Sequence, residues 1–155
     1  MSFTTEARFA SLEKLILAAK ATSQSDPLIA EHLCRLACIQ ICGNIERCVE
    51  LLIMERFDKR IPPQVVEFLS RYFRRGTNFD CDEICAFLFR FDSNWGRKFE
   101  AFVNTNHQVK TQINGCYGIR NVLAHGGGHT PGYKAAQEYF DASKILIAKF
   151  EEVIK

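Results

Sequence analysis

The sequence predicts an all-α fold, a helical bundle of four to five main helices plus short helices. Apolar residues recur at intervals of three and four along most segments between the glycines and prolines, which is the spacing of amphipathic helices. No segment shows the alternation of a strand or the turn of a hairpin. With 155 residues, 47% of them hydrophobic, the chain has the size and composition of a single packed domain over residues 1–155.

The first two helices follow from apolar spacing and a start signal. A helix is predicted from Phe3 to Ala21, and Asp26 followed by Pro27 is typical of the next helix start. The second and longest helix then runs from Leu28 to about Phe57, and Gly43 within it favours a kink or a close helix contact. The inward face of the first helix consists of five apolar residues: Phe9, Leu12, Leu15, Ile16 and Ala19.

Prolines, glycines and capping residues delimit the next three helices. After two consecutive prolines, a helix is predicted from Gln64 to Arg75 with its end at Gly76. Two short, aromatic-rich helices follow, from Asp82 to about Phe91 and from Asn94 to Asn104. Their predicted N-caps are Asp80 or Asn78 for the first and Ser93 for the second.

Two longer helices complete the chain. One is predicted from His107 to His125 and stops at three consecutive glycines, Gly126 to Gly128. Pro131 and Gly132 introduce the last helix, from Lys134 to Val153. Its inward-facing candidates are Ala136, Tyr139, Phe140, Ile145, Ile147 and Phe150.

Charge and hydropathy argue against several classes of protein. Twenty Lys and Arg against 18 Asp and Glu leave a formal charge of +2, so a nucleic-acid site would have to be a local basic patch. No segment approaches the ~18 uninterrupted apolar residues of a membrane span, and Met1 to Phe9 lacks a secretory pattern. We therefore expect a cytoplasmic protein without a membrane partner.

The seven cysteines predict neither a disulfide framework nor a metal site. Their number is odd in a chain without an export signal, which indicates a reducing compartment. Spacings of four along helices are compatible with zinc or redox chemistry, but no C-x-x-C pair exists. Because small apolar thiols pack well in cores, we predict core positions for the cysteines at these spacings: Cys34, Cys38, Cys42, Cys81 and Cys85.

One charged residue interrupts the apolar stripe of the predicted sixth helix. Arg120 occupies the stripe and faces whatever this helix packs against, so its guanidinium needs a carboxylate, a phosphate or a watery cleft. Asn121 and His125 lie about one turn apart on a neighbouring face. Arg120 and His125 are roughly 140° apart on an ideal helix, so the following glycines or a second chain would have to bring them together. The other stripe residues are Val109, Ile113, Cys116 and Leu123.

The segment Arg120-Asn121-Val122-Leu123-Ala124-His125-Gly126 resembles the signature of the HEPN superfamily. In that signature an Arg and a polar residue, often Asn, precede a His, with four to six residues between Arg and His. The layout is similar as well, since HEPN domains are helical bundles of about this length with the motif near the start of the last helical hairpin. Within the superfamily the chain resembles the small nuclease-like members of the RiboL-PSP or MAE type.

This resemblance implies a function and a set of site residues. Many HEPN proteins are metal-independent endoribonucleases that act as homodimers with a composite active site, and small members often belong to toxin–antitoxin or phage-defence systems. Arg120 and His125 would then be catalytic and Asn121 the supporting polar residue, with no cofactor and no metal. A looser similarity over residues 43–49 makes Glu46 a candidate supporting residue. The implied partners are RNA, a second copy of the chain and an antitoxin protein.

The residue types suit RNA cleavage independently of the resemblance. Attack of the 2′-hydroxyl on the adjacent phosphate needs a base, an acid for the 5′-oxygen and positive charge at the transition state, and leaves a 2′,3′-cyclic phosphate. A histidine suits the proton transfers and an arginine suits the phosphate oxygens. Asn121 could orient His125 or contact the phosphate. His129, beyond the three glycines, is a second candidate supporting residue if that loop holds a phosphate and does not simply end the helix.

Two further interpretations stay open. Arg71, Arg74 and Arg75, with neighbouring Tyr72 and Phe73, form a short cluster that either binds RNA or is a solvated helix end. The alternative function is a catalytically inactive HEPN-like module that binds RNA, a nucleotide or a partner protein. A purely structural role is the third hypothesis, in which Arg120 pairs with an internal carboxylate such as Glu46.

Overall fold

A computed structural model describes residues 3–57, 61–74, 76, 78–128 and 130–155. In these residues the chain forms seven α-helices and no strand, which confirms the predicted all-α class. The helices are α1 (Phe3–Thr22), α2 (Pro27–Phe57), α3 (Pro63–Phe73), α4 (Cys81–Phe91), α5 (Ser93–Thr105), α6 (His107–Ala124) and α7 (Tyr133–Ile154). No described helix is long and apolar enough to cross a membrane.

The long helix α2 is the centre of the bundle. It packs against α1, α6 and α7, while α7 also contacts α1, α5 and α6. The helices α4 and α5 pack on each other at one end, and α3 contacts the rest mainly through α2. Core side chains with no exposed surface come from α2, α4, α5, α6 and α7, among them Ile41, Ile84, Phe99, Ile113 and Phe150.

The helix starts show which capping predictions were correct. The Asp26 carboxylate accepts a hydrogen bond from the Ile29 N–H at 3.1 Å, and Asp80 caps α4 through the Glu83 N–H at 2.9 Å. The predicted cap Ser93 is wrong. Asp92, one residue earlier, accepts from the backbone N–H groups of residues 94 and 95 at 2.6 and 3.2 Å, because its extended backbone places the carboxylate before the first turn.

Two other expectations are corrected by packing. A Cβ built on Gly43 would meet nothing within 4 Å, so this glycine makes no close helix contact and instead leaves open surface on α2. Ile145 is 49% exposed, because it lies roughly 180° around α7 from Ala136 and Ile147, which are buried. The remaining inward candidates Phe140 and Phe150 are buried, and Tyr139 is half-buried.

The cysteines are free thiols in the interior, as predicted. All are buried except Cys85, which is half-buried. The Cys42 and Cys116 sulfurs are 3.7 Å apart, and the Cys116 thiol also donates to the Cys38 carbonyl at 3.6 Å. Burial raises the pKa of Cys81 to about 12. The contacts of Cys116 with Cys42 and with the Cys38 carbonyl therefore join α6 to α2 in the core.

Candidate functional site

The end of α6 is positioned by its packing against α2. Ile113 and Cys116 on α6 are fully buried, and the Tyr117 hydroxyl donates a hydrogen bond to the Cys42 carbonyl at 3.4 Å. One turn later the same stripe reaches the edge of the α2–α6 contact. Arg120 emerges there with 29% of its side chain exposed.

Three side chains hold the Arg120 guanidinium. Nη2 donates to Glu46 Oε1 at 3.2 Å and forms an ion pair with it. Nη1 donates to Asn78 Oδ1 at 2.7 Å and to Asn121 Oδ1 at 3.1 Å. Arg120 therefore joins α2, the segment before α4, and α6, and its planar fork of donors is fixed before any ligand arrives.

The Glu46 carboxyl lies in a partly dehydrated position. Burial raises its pKa, and the neighbouring Arg120 charge opposes that rise without cancelling it, so the pKa lies above the usual value for a glutamate. Glu46 lines a cleft, and the pair is not sealed in the core, since 29% of the Arg120 side chain and 25% of the Glu46 side chain are exposed. That cleft, of about 200 Å³, is lined in part by Gly43, Glu46, Arg47 and Glu50.

His125 ends α6 and is exposed to solvent. Its backbone N–H donates to the Asn121 carbonyl at 3.2 Å, and within the described residues its imidazole makes no hydrogen bond. The next residue, Gly126, has φ +78°, a left-handed conformation that favours glycine. Bonds from Gly127 N–H to the Val122 carbonyl and from Gly126 N–H to the residue 123 carbonyl complete a Schellman turn. The turn orients the His125 backbone while the side chain stays free.

The loop after His125 is attached to the beginning of α2. Arg35 Nε donates to Thr130 Oγ1 at 2.7 Å, and the Thr130 hydroxyl donates to Glu31 Oε1 at 2.6 Å. Arg35 also forms an ion pair with Glu31. The Thr130 hydrogen bond is the largest cause of a lowered Glu31 pKa. We call Glu31, Arg35 and Thr130 the loop anchor. Sequence reasoning missed it, because its members are up to 99 residues apart and no local pattern relates them.

The structure brings some of the predicted site residues together and separates others. Arg120, Asn121 and Glu46 are in direct contact, and Asn78, which the sequence indicated only as a cap, completes this group. The Asn121 side chain contacts Arg120 and not His125. His125 follows one turn later at the helix end, and no hydrogen bond joins its side chain to Arg120 in the described residues.

In the described residues no hydrogen bond or ion pair joins Arg71 or Arg74 of the α3 cluster to this group. Arg71 is exposed and pairs with Glu67 on the same helix at 2.8 Å, and Arg74 is the exposed C-cap residue. The rings of Tyr72 and Phe73 pack on Phe87 with centroids 5.6 and 5.7 Å away. Both are half-buried, and Phe73 also lines the cleft that contains Glu46.

Two of the predicted site residues, Arg75 and His129, lie outside the described residues. In the part of the chain that the structure describes, no three His, Cys, Asp or Glu side chains are grouped as metal ligands.

Comparison with known proteins gives one match. The family model described as RiboL-PSP-HEPN matches residues 4–155, which includes every residue of the site. No curated protein and no solved structure matches the chain.

Proposed function

This chain belongs to the RiboL-PSP-HEPN family, and from that premise we propose that it is a metal-independent endoribonuclease. HEPN-type domains are typically nuclease-like and related to RNA. The observation that carries the proposal is the pre-oriented Arg120 fork, supported by Asn121, one turn before an exposed histidine. A fixed guanidinium and an exposed imidazole are the kinds of group that phosphodiester cleavage requires.

In the proposed reaction the substrate supplies its own nucleophile. A base removes the proton of the 2′-hydroxyl, O2′ bonds to phosphorus, the bond from phosphorus to O5′ breaks, and an acid protonates O5′. The products carry a 2′,3′-cyclic phosphate and a 5′-hydroxyl. Arg120 neutralises the charge that develops on the non-bridging oxygens, and His125 transfers protons. Asn78 and Asn121 keep the guanidinium plane fixed.

The reaction needs two proton-transfer groups, a base and an acid. Among the described residues, each chain offers one exposed histidine at the end of α6, His125. We therefore include a homodimer in the proposal, in which His125 of each chain lines one shared cleft. Exposed apolar residues beside the site support it. Leu36 is 42% exposed and follows Arg35 of the loop anchor, and Val122 is 43% exposed and follows Asn121.

A single substitution that introduces a negative charge tests the proposed dimer. Leu36→Asp should shift the protein to monomers in analytical ultracentrifugation and lower cleavage per chain at least tenfold, because a carboxylate is costly to bury in an apolar interface. Leu17→Asp is the matched control, since Leu17 is 56% exposed on α1. Cleavage at the wild-type rate by a monomeric Leu36→Asp variant contradicts the shared cleft.

The family resemblance also supports a biological role, as a toxin or phage-defence effector with an antitoxin protein as partner. Expression in a bacterial host should then slow growth, and the His125→Ala variant should restore growth at equal protein level. Equal toxicity of both proteins contradicts this role.

A second function is favoured by one contact. Glu46 neutralises Arg120 at 3.2 Å, so the guanidinium does not need a phosphate for its stability. This is the contact expected for a purely structural role, and it is equally compatible with a catalytically inactive module that binds RNA, a nucleotide or a partner protein through the same cleft.

One experiment separates these functions. Wild type, Arg120→Ala and His125→Ala proteins are incubated with total RNA in excess EDTA, and the fragment ends are identified. Cleavage by the wild type alone, with 2′,3′-cyclic phosphate ends, supports the endoribonuclease. Intact RNA with all three folded proteins favours the binding module, and fragments with only 3′-hydroxyl ends contradict the mechanism.

A further inference from the structure

A second and larger concavity lies between α1 and α2. This groove has a volume of about 650 Å³ and is lined by residues of both helices, among them Arg8, Leu12, Ile39, Gln40, Gly43 and Asn44. Its volume is typical of sites that take a small organic ligand. The lining combines an apolar floor with amide groups and one arginine, and it contains no acidic side chain.

Two polar side chains in the groove contact each other, and one of them is only partly satisfied. Arg8 Nε donates to Asn44 Oδ1 at 2.9 Å, and the guanidinium also interacts with the buried Cys48 thiol, so its orientation in the groove is fixed. Asn44 is 5% exposed, and its Nδ2 has no hydrogen-bond partner. A buried amide donor without a partner costs free energy, and the planar guanidinium of an oriented arginine matches the oxygens of a phosphate.

The groove is continuous with the candidate site at Gly43. This residue lines both the groove and the cleft that contains Glu46. Because a Cβ at Gly43 would meet nothing within 4 Å, the surface between the two concavities is open. The carboxylates of the cleft are already paired, Glu46 with Arg120 and Glu50 with Arg47, so they repel an anion less than free carboxylates would.

We propose that the groove between α1 and α2 binds single-stranded RNA, with Arg8 on a phosphate of a nucleotide that flanks the cleaved bond. The inference rests on the proposed function and names the path of its substrate. The strand runs from the cleft at Glu46, over Gly43, into the groove, where Ile39, which is 47% exposed, offers apolar surface to a base. An extended strand therefore contacts the protein at two positions, and a dinucleotide contacts it mainly at one.

The test measures binding without cleavage. A fluorescein-labelled 2′-O-methyl dodecamer lacks the attacking hydroxyl, so fluorescence anisotropy reports affinity whether or not the protein is an enzyme. Arg8→Ala should weaken binding about tenfold or more, as expected for losing a hydrogen bond to a charged group. It should also reduce the slope of log K against log salt by about 0.7, as expected for one phosphate contact on a single strand.

A second variant tests the path independently of charge. Gly43→Gln fills the open surface on α2 and should weaken binding of the dodecamer at least fivefold, with a smaller effect on a 2′-O-methyl dinucleotide. It should raise the thermal unfolding midpoint, because glycine is a poor helix residue, so weaker binding cannot result from unfolding. Gly43→Ala gives the same gain in helix propensity with a shorter side chain, and should weaken binding less.

The controls lie outside the groove. Arg97→Ala removes an exposed arginine of α5, and Ala148→Gln adds the same side chain to an exposed position of α7. The inference is overturned if the wild type does not bind the dodecamer, or if Arg8→Ala and Gly43→Gln bind it as the wild type does. It is also overturned if Arg97→Ala weakens binding of the dodecamer as much as Arg8→Ala does. Binding that depends on Arg8 in a protein that cleaves no RNA retains the groove and rejects the endoribonuclease.

Discussion

Arg120 makes its contacts with three parts of the chain, and one of them responds to pH. Asn78 and Asn121 accept hydrogen bonds at any pH, whereas Glu46 is a full ion-pair partner only when ionised. Because burial raises the Glu46 pKa, a larger share of this carboxyl is protonated in weak acid than for an ordinary glutamate. The electrostatic potential around Arg120 thus becomes more positive as the pH falls.

We expect Glu46→Gln to change how stability depends on pH. A carboxyl whose pKa is higher in the folded than in the unfolded state contributes stability below its unfolded pKa, near 4.5, and loses that contribution as the pH rises through the folded value. The wild type should therefore lose stability relative to the Gln variant from about pH 4.5 upward. Urea unfolding of both proteins at pH 4 to 7 measures this, and a wild type that gains relative stability over the same range contradicts it.

At this scale the sequence was informative for single residues and uninformative for their partners. Arg120 in an apolar stripe predicts the need for a carboxylate, a phosphate or a cleft, and the structure supplies both Glu46 and a cleft. Asn78 could not be chosen from the sequence, because it is 42 residues away from Arg120 and its own neighbourhood indicates a helix cap.

At the scale of elements, short polar side chains determine where helices begin. Asp92 ends α4 and caps α5. We expect Asp92→Ala to lower the free energy of unfolding by about 1 kcal/mol, because two N–H groups of the first turn lose their acceptor. Ser93→Ala is the control and should change it by less than about 0.5 kcal/mol. Chemical denaturation checks both, and a larger effect at Ser93 contradicts the assignment of the cap.

The loop anchor predicts a change in local motion. Thr130→Val keeps the shape of the side chain but removes the hydroxyl that joins Arg35 to Glu31. Amide hydrogen exchange of Gly126 and Gly127 should accelerate, since the turn after His125 loses its attachment to α2. Thr130→Ser should restore protection. Unchanged exchange in the Val variant shows that the Schellman turn alone is sufficient.

The sequence predicted the helices well because their signals are local. Apolar spacing and caps lie within one or two turns of the boundaries that they indicate, and α1, α2 and α7 begin or end within one residue of the prediction. The errors arise where a neighbour outside the local window decides. Ile145 is apolar but faces away from every packed helix, and Gly43 borders a groove whose other wall is α1.

At the scale of the whole molecule, the core isolates the thiols from solvent. Six cysteines are buried and Cys85 is half-buried with a pKa of about 11. We expect at most one thiol to react with a disulfide reagent within minutes at pH 8, because both thiolate formation and access are suppressed. All seven should react after denaturation in guanidinium. Rapid reaction of three or more in the native protein contradicts the packing of α2 against α6.

The contacts of α7 determine when the candidate site can form during synthesis of the chain. The site residues end at His125, yet α6 and α2 are both packed against α7, which begins only at Tyr133. A growing chain that already contains Arg120 and His125 still lacks the helix that completes its core, and domains of this size fold as units. The candidate site therefore forms only after α7 has been synthesised.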